Sequence, residues 1–367
     1  MEIYFINWFV LLLLSTGEKY LSIKNNLKNK ILITLVLFLI LFIGLRINVG
    51  CDWITYKQIF NTISNSNIFS LEDGGRTEIG YAISNKIIYL LGGNIYLLNI
   101  FMSSLFVIPL AISFKKLKYP FLSFLIAYPY LIVVVGMGPM RQSAAMSLIV
   151  LSSFYLNKNF RIFSILNIIA FSFHAPSIFT SIIIFLGSDS LEEIVKRNWK
   201  IILFFLLGIL SVIYFYSFGY LYTKFESYLF LTRFKDAKSH ILIWIMNILP
   251  YILFIIRRDI SPNKIHLFKI QKVIFVCLCF LPLTALLDTT ITYRLLINFI
   301  PFSIFLYTDL VEHNFLIPKE YNYFIYILFS ILLLSIWLNF AKHSYCWIPY
   351  RINYIQLFKY KIMQLLQ

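Results

Sequence analysis

The chain has 367 residues, of which 60% are hydrophobic, 19% aromatic and only 13% charged, with a mean hydropathy of +0.81. Soluble domains carry roughly 25% charge, so a water-soluble globule is excluded. Repeated apolar stretches between short polar ones call for spanning helices, whose backbone groups are satisfied internally. Lys plus Arg number 32 against 16 Asp plus Glu, a net +16. In such a chain that excess first serves to anchor cytoplasmic loops, and no nucleic-acid partner is expected.

Apolar stretches fall at about 3–16, 31–45, 95–114, 120–137, 142–156, 162–173, 176–187, 200–216, 241–256, 273–287, 291–307 and 321–340. They predict an all-α, polytopic membrane protein with about 11–12 transmembrane or half-spanning helices, residues 1–367 forming a single integral membrane domain. The first stretch carries Glu2, lacks a basic lead and a small-residue cleavage site, and reads as a span, not a signal peptide. Residues 78–91 are apolar on one side only and predict a helix lying at the interface. His174-Ala175-Pro176 divides 162–173 from 176–187, because proline removes a backbone donor and clashes with the preceding turn. Cys51, Cys277, Cys279 and Cys346 are scattered and predict neither a metal site nor a disulfide framework.

Placing 18–30 in the cytoplasm and alternating the spans leaves Lys19, Lys24, Lys28, Lys30, Lys115, Lys116, Lys118, Lys158 and Arg161 inside. Residues 46–94 then form a periplasmic loop with the interfacial helix, 217–240 a second periplasmic loop, and 341–367 a periplasmic C-terminal tail. The polar residues that look chemical share that outer side.

Arg46 closes the second span and leads into Asp52, Trp53 and Tyr56, with Glu78 and Tyr81 further on. Arg46 reads as a snorkelling anchor and Trp53, Tyr56 and Tyr81 as aromatic belt, but two carboxylates and an arginine in one loop lift a functional reading. A carboxylate there can orient a sugar hydroxyl or take its proton. Gly136-Met-Gly-Pro139-Met-Arg141-Gln142 turns the chain and puts Arg141 in the first turn of a new helix. A cation opposes the macrodipole at that position, so it needs an anionic ligand, or a buried carboxylate partner such as Asp52 or Glu78. Helix-start amides with a guanidinium fork suit phosphate. His174 reads as a structural donor or a proton shuttle at a broken helix. Arg294 repeats the Arg141 situation, and Arg233 sits in a loop rich in Lys, Phe and Tyr. There is no Gly-x-Ser-x-Gly elbow, His-Glu-x-x-His, P-loop, Rossmann glycine set or Asp-x-Asp pair.

Five pieces in order, Gly44-Leu-Arg46 with Gly50-x-Asp52-Trp53-x-x-Tyr56-x-x-x-Phe60, Glu78-x-Gly80-Tyr81, Arg141-Gln142-x-x-Ala145, Ala170-Phe-x-Phe173-His174-x-x-Ser177, and Pro349-Tyr350, resemble the EpsG-like, Wzy-type O-antigen and exopolysaccharide polymerases. Cys51 before Asp52 and a weakly recognisable Arg294 region depart from the pattern. The resemblance implies a fold of the metal-independent membrane glycosyltransferase (GT-C) type, with no metal and no cofactor. It implies an O-antigen or surface-polysaccharide polymerase in the bacterial inner membrane, active at the periplasmic face, that moves the growing glycan from undecaprenyl pyrophosphate onto the next lipid-linked repeat. The implied partners are the undecaprenyl-pyrophosphate-linked oligosaccharide, the lipid bilayer and a chain-length regulator. Asp52, Glu78 and His174 compete for the catalytic base, Arg46, Arg141 and Arg294 are assigned to pyrophosphate, and Trp53, Tyr56, Gln142, Arg233 and Tyr350 to glycan. The rival reading is a flippase for the same lipid-linked oligosaccharide, which would show a central charged cavity and two similar halves. No internal repeat is visible.

Overall fold

The computed structural model describes residues 1–21, 24–65, 77–189, 191, 196–198, 200, 237–256, 267–284, 289–311 and 319–352. The helices are α1 (Glu2–Tyr20), α2 (Asn25–Gly44), α3 (Trp53–Asn65), α4 (Ile79–Leu90), α5 (Ile95–Phe114), α6 (Pro120–Ala127), α7 (Met140–Ser153), α8 (Phe160–Phe173), α9 (Ser177–Leu186), α10 (Ala237–Ile256), α11 (Phe268–Thr284), α12 (Thr289–Leu310) and α13 (Lys319–Phe340). Among the described residues the only strand-like pairing is one isolated antiparallel bridge between Arg46 and Ile352.

The fold is all-helical. Asn25–Gly44, Ile95–Phe114 and Tyr321–Phe340 are each 20 residues long and apolar enough to cross a membrane. Such a helix measures about 30 Å, the thickness of the hydrocarbon layer. Shorter apolar helical stretches lie at Pro120–Val135, Phe160–Phe173, Ser177–Leu186 and Ile243–Ile255. Ile33, Leu37 and Leu41 on α2, and Leu328, Leu332 and Ile336 on α13, expose apolar side chains one turn apart. Stripes of that kind suit lipid and would be a liability in water. The protein is a multi-pass membrane protein.

The chain forms two compact units, Met1–Ser147 with Tyr326–Gln367, and Leu148–Ile325. In the first, α2 lies against α5: a Cβ on Gly44 would sit 2.8 Å from the Ile100 Cα, and Ser103 donates across to the Ile40 carbonyl at 2.9 Å. Asn94 starts α5 by accepting from the Tyr96 and Leu97 amides, the usual work of an N-cap side chain. The run 120–135 begins as α6 and widens to a π-helix over Tyr128–Val135. Pro129 cannot donate to the Leu125 carbonyl. Ser330 of α13 fills that vacancy at 2.8 Å while accepting from Trp8 of α1 at 2.9 Å. One hydroxyl therefore ties three helices.

At one end of this unit Glu18 pairs with Lys28 at 2.6 Å and accepts from the Phe121 amide at 2.9 Å, where a carboxylate favours a helix start. Lys28 also reaches the Lys118 carbonyl at 3.5 Å, so the lysine-bearing turns 18–30 and 115–118 meet there.

In the second unit, polar side chains join helices in the manner expected within lipid. Asn247 of α10 donates to the Leu296 carbonyl of α12 at 3.1 Å, and Ser303 donates back to its side chain at 2.9 Å. Pro250 frees the Met246 carbonyl, which accepts from the Tyr307 hydroxyl at 3.3 Å. Gln271 of α11 donates to the Phe302 carbonyl of α12 at 3.0 Å. Asn167 of α8 bridges Ser152 of α7 and Ser181 of α9. Asn157, Asp189 and Lys269 gather at one end of this unit.

Within 46–94 the helix expected near 78–91 is α4, and α3 is a second helix where the sequence predicts loop. Its buried Trp53, Tyr56, Phe60 and Ile63 follow a helical period. Of the expected loop 217–240, residues 237–240 open α10, and the rest lies outside the described residues.

Candidate active site

The end of the first unit opposite the lysine turns is assembled from four pieces of chain. Arg46 follows the last turn of α2 and folds its guanidinium back onto it. Nη1 donates to the Ile43 carbonyl and Nε to the Val49 carbonyl at 3.0 Å. A cation at a helix C-terminus satisfies orphan carbonyls and complements the dipole. Arg46 is completely buried, and no carboxylate pairs with it among the described residues. Burial pulls its guanidinium down to about 10, which leaves it a cation at neutral pH. Tyr350, Tyr56, Tyr4 and Tyr81 surround it.

The following loop is pinned by Gly50, whose φ of 92° lies in the left-handed region. A Cβ there would fall 2.1 Å from the Met137 carbonyl oxygen, so only glycine lets this loop press on the turn before α7. Ser344–Cys346 and the residues after it fold over the same loop. The Ile47 amide donates to the Arg351 carbonyl at 2.9 Å and the Gly50 amide to the Cys346 carbonyl at 2.8 Å. Trp347 donates to the Val133 carbonyl at 2.9 Å and accepts, on its own carbonyl, from the Tyr4 hydroxyl at 2.8 Å. Tyr350 donates to the Phe42 carbonyl at 2.6 Å and stacks on that ring at 4.7 Å.

Cys51 and Cys346 form a disulfide across 295 positions, which corrects the expectation that the scattered cysteines make no disulfide framework. Their distance in sequence concealed a contact that exists only because the tail returns to the 46–50 loop. Cys277 and Cys279 are free. Changing Cys51 and Cys346 to serine is expected to cost about 2–4 kcal/mol, read as a lowered melting temperature of the purified protein. An unchanged melting temperature would mean the hydrogen bonds alone hold the strap.

Arg141 stands in the first turn of α7 and pairs with Glu78, the residue just before α4. Its guanidinium also lies over two rings, Tyr56 at 5.8 Å and Tyr81 at 5.6 Å from the centroids, and those rings meet edge to face at 5.7 Å. The carboxylate partner considered from sequence is thus Glu78. The Arg141 side chain keeps 25% of its surface exposed and Glu78 14%. A guanidinium oriented on several sides, yet open on another, can meet a phosphate fork to fork.

Trp53 is buried and donates to the Arg46 carbonyl at 3.2 Å. Tyr56 is buried under Arg141, Gln142 is buried one residue beyond it, and Asp52 is exposed beside the disulfide. Burial pushes the Tyr56 and Tyr81 phenols up, so both rings are neutral faces for the cation. His174 and Arg294 belong to the second unit. His174 is buried where α8 ends, its carbonyl accepting from the Ser177 amide at 3.0 Å as α9 begins. Arg294 is exposed in the second turn of α12. Arg233 lies outside the described residues. Two residues of the first-unit site have no counterpart among the candidates the sequence offers. Tyr4 and Trp347 carry no local signal, and Tyr81, which the sequence leaves to the aromatic belt, follows Glu78 by three positions and so shares its helix turn.

An all-helical membrane protein with a half-open guanidinium held among tyrosines and a carboxylate, at one end of its helices, has the makings of an anion-handling membrane enzyme. A profile of the EpsG family matches residues 29–352, and the chain belongs to that family, which places it with polysaccharide polymerases. The match takes in every element of the site except Tyr4. Neither the curated proteins nor the solved structures offer a match to the chain.

Proposed function

We propose that this protein polymerises a surface polysaccharide, transferring the growing glycan from undecaprenyl pyrophosphate to a hydroxyl of the next lipid-linked repeat at the periplasmic face of the inner membrane. The observation that carries the reading is Arg141: a cation at a helix start, set over Tyr56 and Tyr81, paired with Glu78 and still a quarter exposed. The departing pyrophosphate gains charge as the glycosidic bond breaks, and a preorganised donor aimed at that charge is worth several kcal/mol.

Arg141 takes the pyrophosphate, and Glu78 beside it receives the proton of the acceptor hydroxyl. Arg46 works from behind. With Nε and Nη1 committed to backbone carbonyls and Nη2 buried beside them, it holds the loop bearing Asp52, Trp53 and Tyr56 in place. Exposed Asp52 is suited to orienting acceptor hydroxyls. A GT-C-type architecture is the framework this chemistry suits.

Two observations favour the outer side. The Cys51–Cys346 disulfide beside the site suits an oxidising compartment. The lysine turns around Lys28 and Lys118 lie at the opposite end of the same unit, as cytoplasmic turns should.

Deleting the gene and separating the surface glycan on a gel tests the reading. The ladder should collapse to a single-repeat band. Loss of every surface repeat would instead identify a transporter of lipid-linked oligosaccharide.

A further inference from the structure

Arg141 and Glu78 neutralise one another in the absence of substrate, and neither is sealed from solvent. An arginine paired with a carboxylate is a poor anion site, and a carboxylate paired with an arginine is a poor base, because the neighbouring cation favours its charged form. Both functions are therefore suppressed until the pair is opened. The surroundings allow it to open. Arg141 keeps its two ring contacts, at 5.8 and 5.6 Å, without help from Glu78. It also keeps its place in the first turn of α7, where helix-start amides add to the attraction for an anion. The Glu78 carboxylate makes no capping hydrogen bond to α4, so its release does not undo the start of that helix.

We propose that Glu78 is an exchangeable counter-ion of Arg141, displaced by the pyrophosphate of the donor, so that donor binding is what turns Glu78 into a base. This rests on the polymerase reading above. The exchange orders the reaction. Donor pyrophosphate enters and takes the Arg141 fork from Glu78. The freed carboxylate then accepts the proton as the acceptor O–H bond breaks. The oxygen's electron pair forms the bond to the anomeric carbon, and the bond from that carbon to pyrophosphate breaks with its pair leaving on the lipid pyrophosphate. When the product lipid departs, Glu78 returns its proton to water and closes on Arg141 again. Without donor the base stays masked.

The exchange predicts a sign that a bracing role does not. If Glu78 only braces Arg141, removing its charge loosens the arginine and weakens anion binding. If it competes with the anion, removing its charge strengthens binding. Inorganic pyrophosphate is titrated into the purified full-length protein in lipid nanodiscs. Glu78→Gln should bind about tenfold more tightly than the wild type, a change of about 1.4 kcal/mol, while forming no polymer in cells. Arg141→Gln should lose the binding. Glu78→Asp, which keeps a carboxylate but draws it back by one methylene, should bind about two- to threefold more tightly and gives the answer if Glu78→Gln does not fold. Equal, weaker or undetectable binding in the folded Glu78 variant overturns the exchange. Pyrophosphate binding does not depend on polymer formation. An unaltered ladder after gene deletion would therefore refute the polymerase reading and with it the base role of Glu78, leaving the counter-ion exchange to the titration, and a flat Glu78 titration would refute the exchange alone.

Discussion

Arg141→Ala should abolish long glycan chains and leave single repeats on the lipid. The substitution removes the cation that faces the departing pyrophosphate, and loss of one such donor costs about 100- to 1,000-fold in rate. Polymer length compounds the loss, because every added repeat meets the same barrier. The fold should survive: the Arg141 side chain is a quarter exposed, and Glu78, left without it, can still reach water. The measurement is the glycan ladder at matched protein level. A normal ladder would remove Arg141 from the chemistry.

Arg46→Ala should fail in a different way. Its guanidinium holds the carbonyls of Ile43 and Val49, and its side chain fills a fully enclosed space at the end of α2. Truncation leaves a cavity and orphaned acceptors together, for about 3–5 kcal/mol. Both protein level and melting temperature should fall, and the ladder with them. Arg46→Lys should not rescue, because one ammonium cannot reproduce a planar fork shared between two carbonyls. If Arg46→Ala instead melts like the wild type and loses only polymer, Arg46 contacts substrate. The two arginines thus separate on one axis, stability against turnover.

Much of this was legible in the sequence, and the rest has a physical cause. Apolar length found α2, α5 and α13, and proline chemistry found the break between α8 and α9. Helix α3 escaped because its period is written in Trp53, Tyr56, Phe60 and Ile63 among polar residues, a pattern that resembles an aromatic-rich loop. The Arg141–Glu78 pair was legible as one of two options, since a cation at a helix start asks for a negative neighbour. What the sequence could not convey was the return of the tail. The Cys51–Cys346 bond and the Tyr4 and Trp347 contacts join residues about 300 positions apart, with no local pattern to announce them. The complete burial of Arg46 was hidden for a related reason. An arginine at a span end looks like a rim residue until the strap over it is seen.

The most direct test reconstitutes the purified protein in liposomes with undecaprenyl-pyrophosphate-linked repeat units on the side facing Arg141. The account predicts chains of several repeats and one undecaprenyl pyrophosphate released for each linkage made. Movement of intact lipid-linked repeats across the bilayer, with no chain growth and no released pyrophosphate lipid, would contradict it.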